Sequence, residues 1–227
     1  LLMNAGMDFI DEMTASAMHE LKNKLAIINE NSGLIQDLAW MARKKDRPLD
    51  IDRMEAISGK IQKNVQKADA IIKMVNRFSS GMDNAETESD LSDAAAFVLL
   101  LADRLIQKKE CRIQLVLPET PVKVRARLFA LENLMWLVLK SVCNAAEPGS
   151  LIEVIPQLDP GINQGQDQEG NPALIVRSDN GNRLAEKASL ESEDIRALLN
   201  VLGSQLEMDG DSKTVRLVFQ SNNNCRD

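Results

Sequence analysis

Met18-His19-Glu20-Leu21-Lys22-Asn23-Lys24-Leu25 holds the one histidine of a 227-residue chain, and its surroundings are helical. Apolar residues recur at Ile10, Met13, Ala17, Leu21, Leu25, Ile28, Ile35, Leu38 and Ala42. Their steps, mostly of three or four, predict an amphipathic helix with this stripe turned inward. At about 100° per residue His19 lies about 200° around the helix from Ala17, so its imidazole faces water. Asn23 stands one turn further along on the same face, and Glu20 is the immediate neighbour. A reactive ring, an acid and an amide are thus presented together. Taken alone, an exposed histidine is ordinary helix surface, and the rest of the chain has to decide what this one does.

Downstream, Asp46-Arg47-Pro48 reads as a turn and Asp50 as the cap of a second helix. That helix carries Ile51, Met54, Ser58, Ile61, Val65, Ala68, Ile72 and Val75, a 3-4 alternation sustained for more than three heptads, with Ile57, Ile71 and Phe78 beside the seam. The two arms make a helical hairpin whose apolar stripe is too broad for one neighbour to cover. Two hairpins from two chains, packed as a four-helix bundle, satisfy it, which predicts a homodimer. Packing within one chain, or onto a second domain, is the alternative.

Composition narrows the partners. Residues 1–82 carry a net charge of +1 and residues 83–227 carry −8, together the −7 of the whole chain. No basic footprint for nucleic acid exists, and a chain without tyrosine offers little for stacking bases. A protein partner fits better. No apolar run approaches the roughly 18 residues of a membrane span. Without a signal peptide, and with three dispersed cysteines, Cys111, Cys143 and Cys225, a reducing cytoplasm is expected. The cysteines lack metal-ligand spacing. With Asn at position 23, the segment His19-Glu20 is not a zinc-protease motif, and neither a nucleophile-elbow serine nor a phosphate-binding lysine loop occurs. The methionines, among them Met13, Met18, Met54 and Met74, are core filling.

Ser79-Ser80-Gly81-Met82-Asp83-Asn84 ends the hairpin, and the polar stretch to Asp90 reads as a linker. Then follow a helix over 91–109, strands over 112–117 and 122–125, and a helix over 126–146 that is apolar nearly all round. Strands over 151–155 and 173–177 flank a Gly/Gln/Asn-rich loop over 159–172. A capped helix over 192–202 and strands over 205–208 and 214–219 complete an α+β sandwich, helices on one face of a mainly antiparallel sheet.

A hairpin with an exposed His-Glu-Leu-Lys-Asn on its first arm, followed by this order of elements, resembles the core of sensor histidine kinases over nearly the whole chain. The resemblance implies a dimerisation and phosphotransfer hairpin over 1–82, a linker over 83–90 and an ATP-binding-like domain over 91–227. It also implies that His19 is phosphorylated, that Glu20 assists as a base, and that Asn23 positions water for dephosphorylating a response-regulator receiver. In the second domain Asn144 falls at the magnesium-side position of the family's asparagine-containing helix, and Asp179 and Gly181 fall in its adenine-binding segment.

Three departures bear on that domain. Lys140 stands one turn before Asn144, where the family has asparagine. Arg183 replaces a glycine whose backbone freedom it cannot supply. The segment 184–194 carries four carboxylates, Glu186, Glu191, Glu193 and Asp194, where the family has a second glycine-rich stretch, and these would repel a triphosphate. Asn144, Asp179 and Gly181 are therefore remnants of a nucleotide site, with no cofactor or metal expected. The chain resembles the dimeric phosphotransferases that relay phosphate between receiver aspartates. An active kinase using ATP and magnesium is one alternative. A catalytically silent dimeric scaffold for a regulator is another.

Overall fold

Two long helices open the chain, α1 over Leu2–Lys45 and α2 over Ile51–Ser80, in a computed structural model that describes residues 2–45, 48–80, 85–159, 170–179, 189–209 and 213–220. Neither contains proline, so nothing breaks their hydrogen-bond ladders. Asp50 starts α2: its carboxylate accepts from the Arg53 amide at 3.0 Å and its carbonyl from the Met54 amide at 3.1 Å. Asp46 and Arg47, the turn signal before it, lie outside the described residues. Contacts divide the chain into two units, Thr14–Ser80 and Leu1–Met13 with Gly81–Asp227. The first thirteen residues thus group with the second unit and not with the rest of α1.

In the hairpin unit the buried line of α2 runs through Ile57, Ala68 and Ile71, with Ile61, Asn64 and Val75 half-buried between and after them. Ile57 and Ile71, expected beside the seam, are thus its centre. Ile51, Val65 and Ile72 are exposed, the last two by 49% and 47%. The reason is width: positions at both phases of the 3-4 alternation are apolar, and a single hairpin buries only one flank. On α1, Leu25, expected inward, is likewise exposed, next to exposed Met18.

The second unit begins with a correction. Residues 86–90, read as linker, form strand β1 (Glu86–Asp90), paired antiparallel with β3 (Lys123–Arg127) in a two-stranded ribbon. Glu86, Glu88 and Asp90 stand opposite Arg127, Arg125 and Lys123, and these cross-strand charges supply the pairing that β1 has no apolar face to provide. Asp90 then caps α3 (Leu91–Lys108) through the Ser92 amide at 2.7 Å.

The main sheet has five strands in the order β2-β4-β5-β7-β6: β2 Arg112–Leu115, β4 Leu151–Asp159, β5 Asn171–Ser178, β6 Ser204–Met208 and β7 Thr214–Phe219. β2 and β4 run parallel and the other pairs antiparallel. The strand expected near residues 122–125 thus belongs to the ribbon and not to this sheet. Of the long loop between β4 and β5, residues 160–169 lie outside the described residues. Helix α5 (Glu193–Leu202) is capped by Ser192, whose hydroxyl accepts from the Ile195 amide at 3.3 Å, and it closes on Gly203 at φ 56°.

Alternate residues of β4 and β7, Ile152, Val154, Val215 and Leu217 among them, are sealed in the core, as a sheet covered by helices on one face requires. Helix α4 (Leu128–Ala145) lies at its centre, with Leu131, Leu134, Met135, Leu139 and Val142 almost wholly buried. Among the described residues it alone is long and apolar enough to cross a membrane, a property shared by core helices, and this one is a core helix. Replacing Leu134 with Ala is expected to cost about 2–5 kcal/mol through lost burial and a residual cavity, measured as the shift of a urea unfolding midpoint at constant slope.

Candidate functional site

His19 lies in the middle of α1 with its imidazole exposed, and Asn23 is exposed one turn further on. Glu20 is half-buried and forms an ion pair with Lys24 at i+4. The Lys24 ammonium beside it holds the Glu20 carboxyl below the usual carboxylate range against the opposing effect of burial, helped by a hydrogen bond from Asn23 and by the nearby His19. Glu20 is therefore ionised at neutral pH. The residues expected to act together, His19, Glu20 and Asn23, do share one turn of helix. The Glu-to-Lys i,i+4 spacing favours such a pair.

In the second unit, the residues expected as remnants of a nucleotide site do not come together in this way. Asp179 accepts a hydrogen bond from the Leu151 amide at 2.8 Å, and its own amide donates to the Leu151 carbonyl at 3.1 Å. One of its carboxylate oxygens is thus engaged in holding the start of β4 to the end of β5. Asn144 is exposed near the end of α4. Gly181 and Arg183 lie outside the described residues, as does the segment 184–188.

Lys140 pairs with the carboxylate of Glu12, in the first part of α1, and the Trp136 indole N–H donates to the same carboxylate at 3.0 Å. The ammonium also stands 5.8 Å from the centre of the Trp136 ring. Two further contacts continue this seam along α4: Phe9 meets Phe129 with ring centres 5.7 Å apart, and Gly6 leaves the room that the Phe129 ring edge occupies. The chain's own N-terminal residues thus contact the side of α4 that bears Trp136 and Lys140. Its lysine is paired with a carboxylate of the same unit.

Replacing Glu12 with Ala removes the acceptor of Trp136 and the partner of Lys140 together. In a Trp40→Phe background, where Trp136 is the remaining indole, its emission is expected to shift to the red, with a stability loss of about 1–2 kcal/mol. An unchanged spectrum would count against the clamp.

Cys111 and Cys143 are buried free thiols. Burial pushes both upward, Cys143 to about 12, so neither is a nucleophile. Among the described residues no group of three or more His, Cys, Asp or Glu is placed to hold a metal.

No family model matches the chain, and no curated protein does. Solved structures similar to it include three histidine kinases. The cytoplasmic segment of histidine kinase QseC is 14% identical over 70% of this chain and 95% of that one, with a TM-score of 0.46. Acinetobacter baumannii histidine kinase AdeS is 13% identical over 90% and 98%, with a TM-score of 0.47. The mycobacterial sensor histidine kinase MprB is 15% identical over 60% and 97%, with a TM-score of 0.44.

Proposed function

We propose that the chain is a cytoplasmic, dimeric two-component signalling protein that carries phosphoryl groups on His19 to and from response-regulator aspartates, without using ATP. The observation that carries this reading is the exposed His19, the chain's one imidazole, sharing a helix turn with ionised Glu20 and with Asn23. A ring nitrogen lone pair attacks the phosphorus of a receiver's aspartyl phosphate. The P–N bond forms as the P–O bond to the carboxylate breaks, and the receiver leaves with the electron pair as a free aspartate. Glu20 accepts from the N–H of the other ring nitrogen and stabilises the cationic ring that results. Running the same exchange backward delivers the group to a second receiver.

Two features support a protein as the phosphoryl donor. Lys140 is paired with Glu12, and Asp179 is engaged at the Leu151 amide. The exposed flank of α2, with Ile51, Val65 and Ile72 at multiples of seven residues, supports the dimer: a second hairpin would cover it.

The test supplies label in two ways, from a phosphorylated receiver and from ATP. Transfer from the receiver to the parent protein, absent in His19→Ala, is the expected result. Label from ATP on His19 would make the chain a kinase, and label from neither source would leave a scaffold.

A further inference from the structure

Each arm of the hairpin carries one asparagine on its covered stripe. Asn31 is 7% exposed on α1, between half-buried Ile28 and Ile35. On α2, Asn64 is half-buried, with Ile57 and Ile61 before it and Ala68 and Ile71 after it on the same stripe. Asn31 lies fourteen residues before the end of α1, and Asn64 thirteen after the start of α2. At about 1.5 Å per residue the two amides therefore stand at one level of an antiparallel hairpin. Each donates one N–H to the carbonyl four residues back in its own helix, Asn31 to Ile27 at 2.7 Å and Asn64 to Lys60 at 2.8 Å. That leaves an oxygen and a second N–H on each. Burying such groups lowers stability unless something meets them, and leucine at both positions would serve a purely apolar seam better.

We propose that Asn31 and Asn64 form a polar layer that selects a second copy of this chain as the hairpin's partner and fixes the level at which the two hairpins meet. This rests on the reading of the chain as a dimer. An amide is both donor and acceptor, so a twofold axis along the bundle brings the two asparagines onto an identical pair with donors and acceptors in equal number. A hairpin with apolar residues at this level leaves the amides unmet, and so does a shift of one copy along the other by a heptad. The layer adjoins the surface that a second copy would cover. Val65, next to Asn64, is 49% exposed, and on α1 Ile27, Leu34 and Met41, at steps of seven, are exposed as well. Apolar stripes supply adhesion without fixing where along the bundle it occurs, and the amides supply the position.

The dissociation constants of Asn31→Leu, Asn64→Leu and the double variant, from sedimentation of the full chain, test this. Each single change leaves opposing amides unmet and is expected to weaken the dimer about tenfold, whereas the double variant, with a wholly apolar layer, dimerises at least as tightly as the parent. Leucine is a strong helix former, so all three variants keep the parent's helix content by circular dichroism. Effects of the two changes that simply multiply would mean that each amide answers only to its own helix, which overturns the layer.

Selectivity is read separately. ¹⁵N-labelled parent is mixed with unlabelled double variant, and the dimers are counted by native mass spectrometry. Random exchange gives about half mixed dimers, and the layer holds the share well below that. A share of about one half overturns the proposal while the dimer stands. A monomeric parent removes the dimer reading itself, and the proposal with it.

Discussion

Replacing His19 with Ala is expected to reduce phosphoryl acceptance from a receiver by at least about a thousandfold, because no second imidazole exists to take over the nucleophile's part. The exposed ring contributes little to the core, so the melting curve should move by less than about 0.5 kcal/mol equivalent. That combination separates chemistry from structure. Acid-labile phosphate on the parent, lost in the variant at unchanged helix content by circular dichroism, is the result that fits a carrier. A variant that signals as well as its parent in a reconstituted relay would instead describe a scaffold, whose histidine is ordinary helix surface.

The second large effect concerns the hairpin. Val65→Lys with Ile72→Lys places two ammonium groups on the exposed flank of α2. Each removes apolar area that a second hairpin would bury and adds a charge that would have to lose its water. Together they are expected to raise the dimer dissociation constant roughly a thousandfold, equivalent to about 4 kcal/mol. Lysine is a good helix former, so α2 should persist. Sedimentation velocity at micromolar concentration checks this: a dimeric parent and a monomeric variant are expected. A monomeric parent, or a variant that sediments as the parent does, would remove the four-helix bundle from the account.

These two expectations rest on features that a one-dimensional pattern can carry. The seam of α2 and the exposed phase of His19 are local consequences of 3.6 residues per turn, and both could be read from spacing alone. Even there the reading stopped short, because spacing defines the width of an apolar stripe but not which flank a given neighbour covers. Ile57 and Ile71 are buried while Val65 and Ile72 are not.

Strand β1 was beyond reach for a different reason. Glu-Thr-Glu-Ser-Asp alternates between two kinds of polar residue, so the pattern of a half-buried strand is missing. It is a strand because Lys123, Arg125 and Arg127, more than thirty residues away, stand opposite its acids. The Glu12 pairing with Lys140 spans 128 positions and has no local signature at all. Reading Lys140 as a departure from a nucleotide site was possible from sequence, whereas its partner required the folded chain.

The ribbon of β1 and β3 works as a vernier for the core. Each strand runs without an intervening loop into a helix, β1 into α3 at Leu91 and β3 into α4 at Leu128, and the Leu91 amide donates to the Val122 carbonyl at 2.9 Å. Sliding one strand by a single residue would turn Val124 and Ala126 out to water and carry three cations inward. It would also displace the origin of one helix against the other by about 3.3 Å. The axial setting of the two central helices is thereby quantised in whole residues, and an insertion or deletion within residues 86–90 has no slack in which to be absorbed.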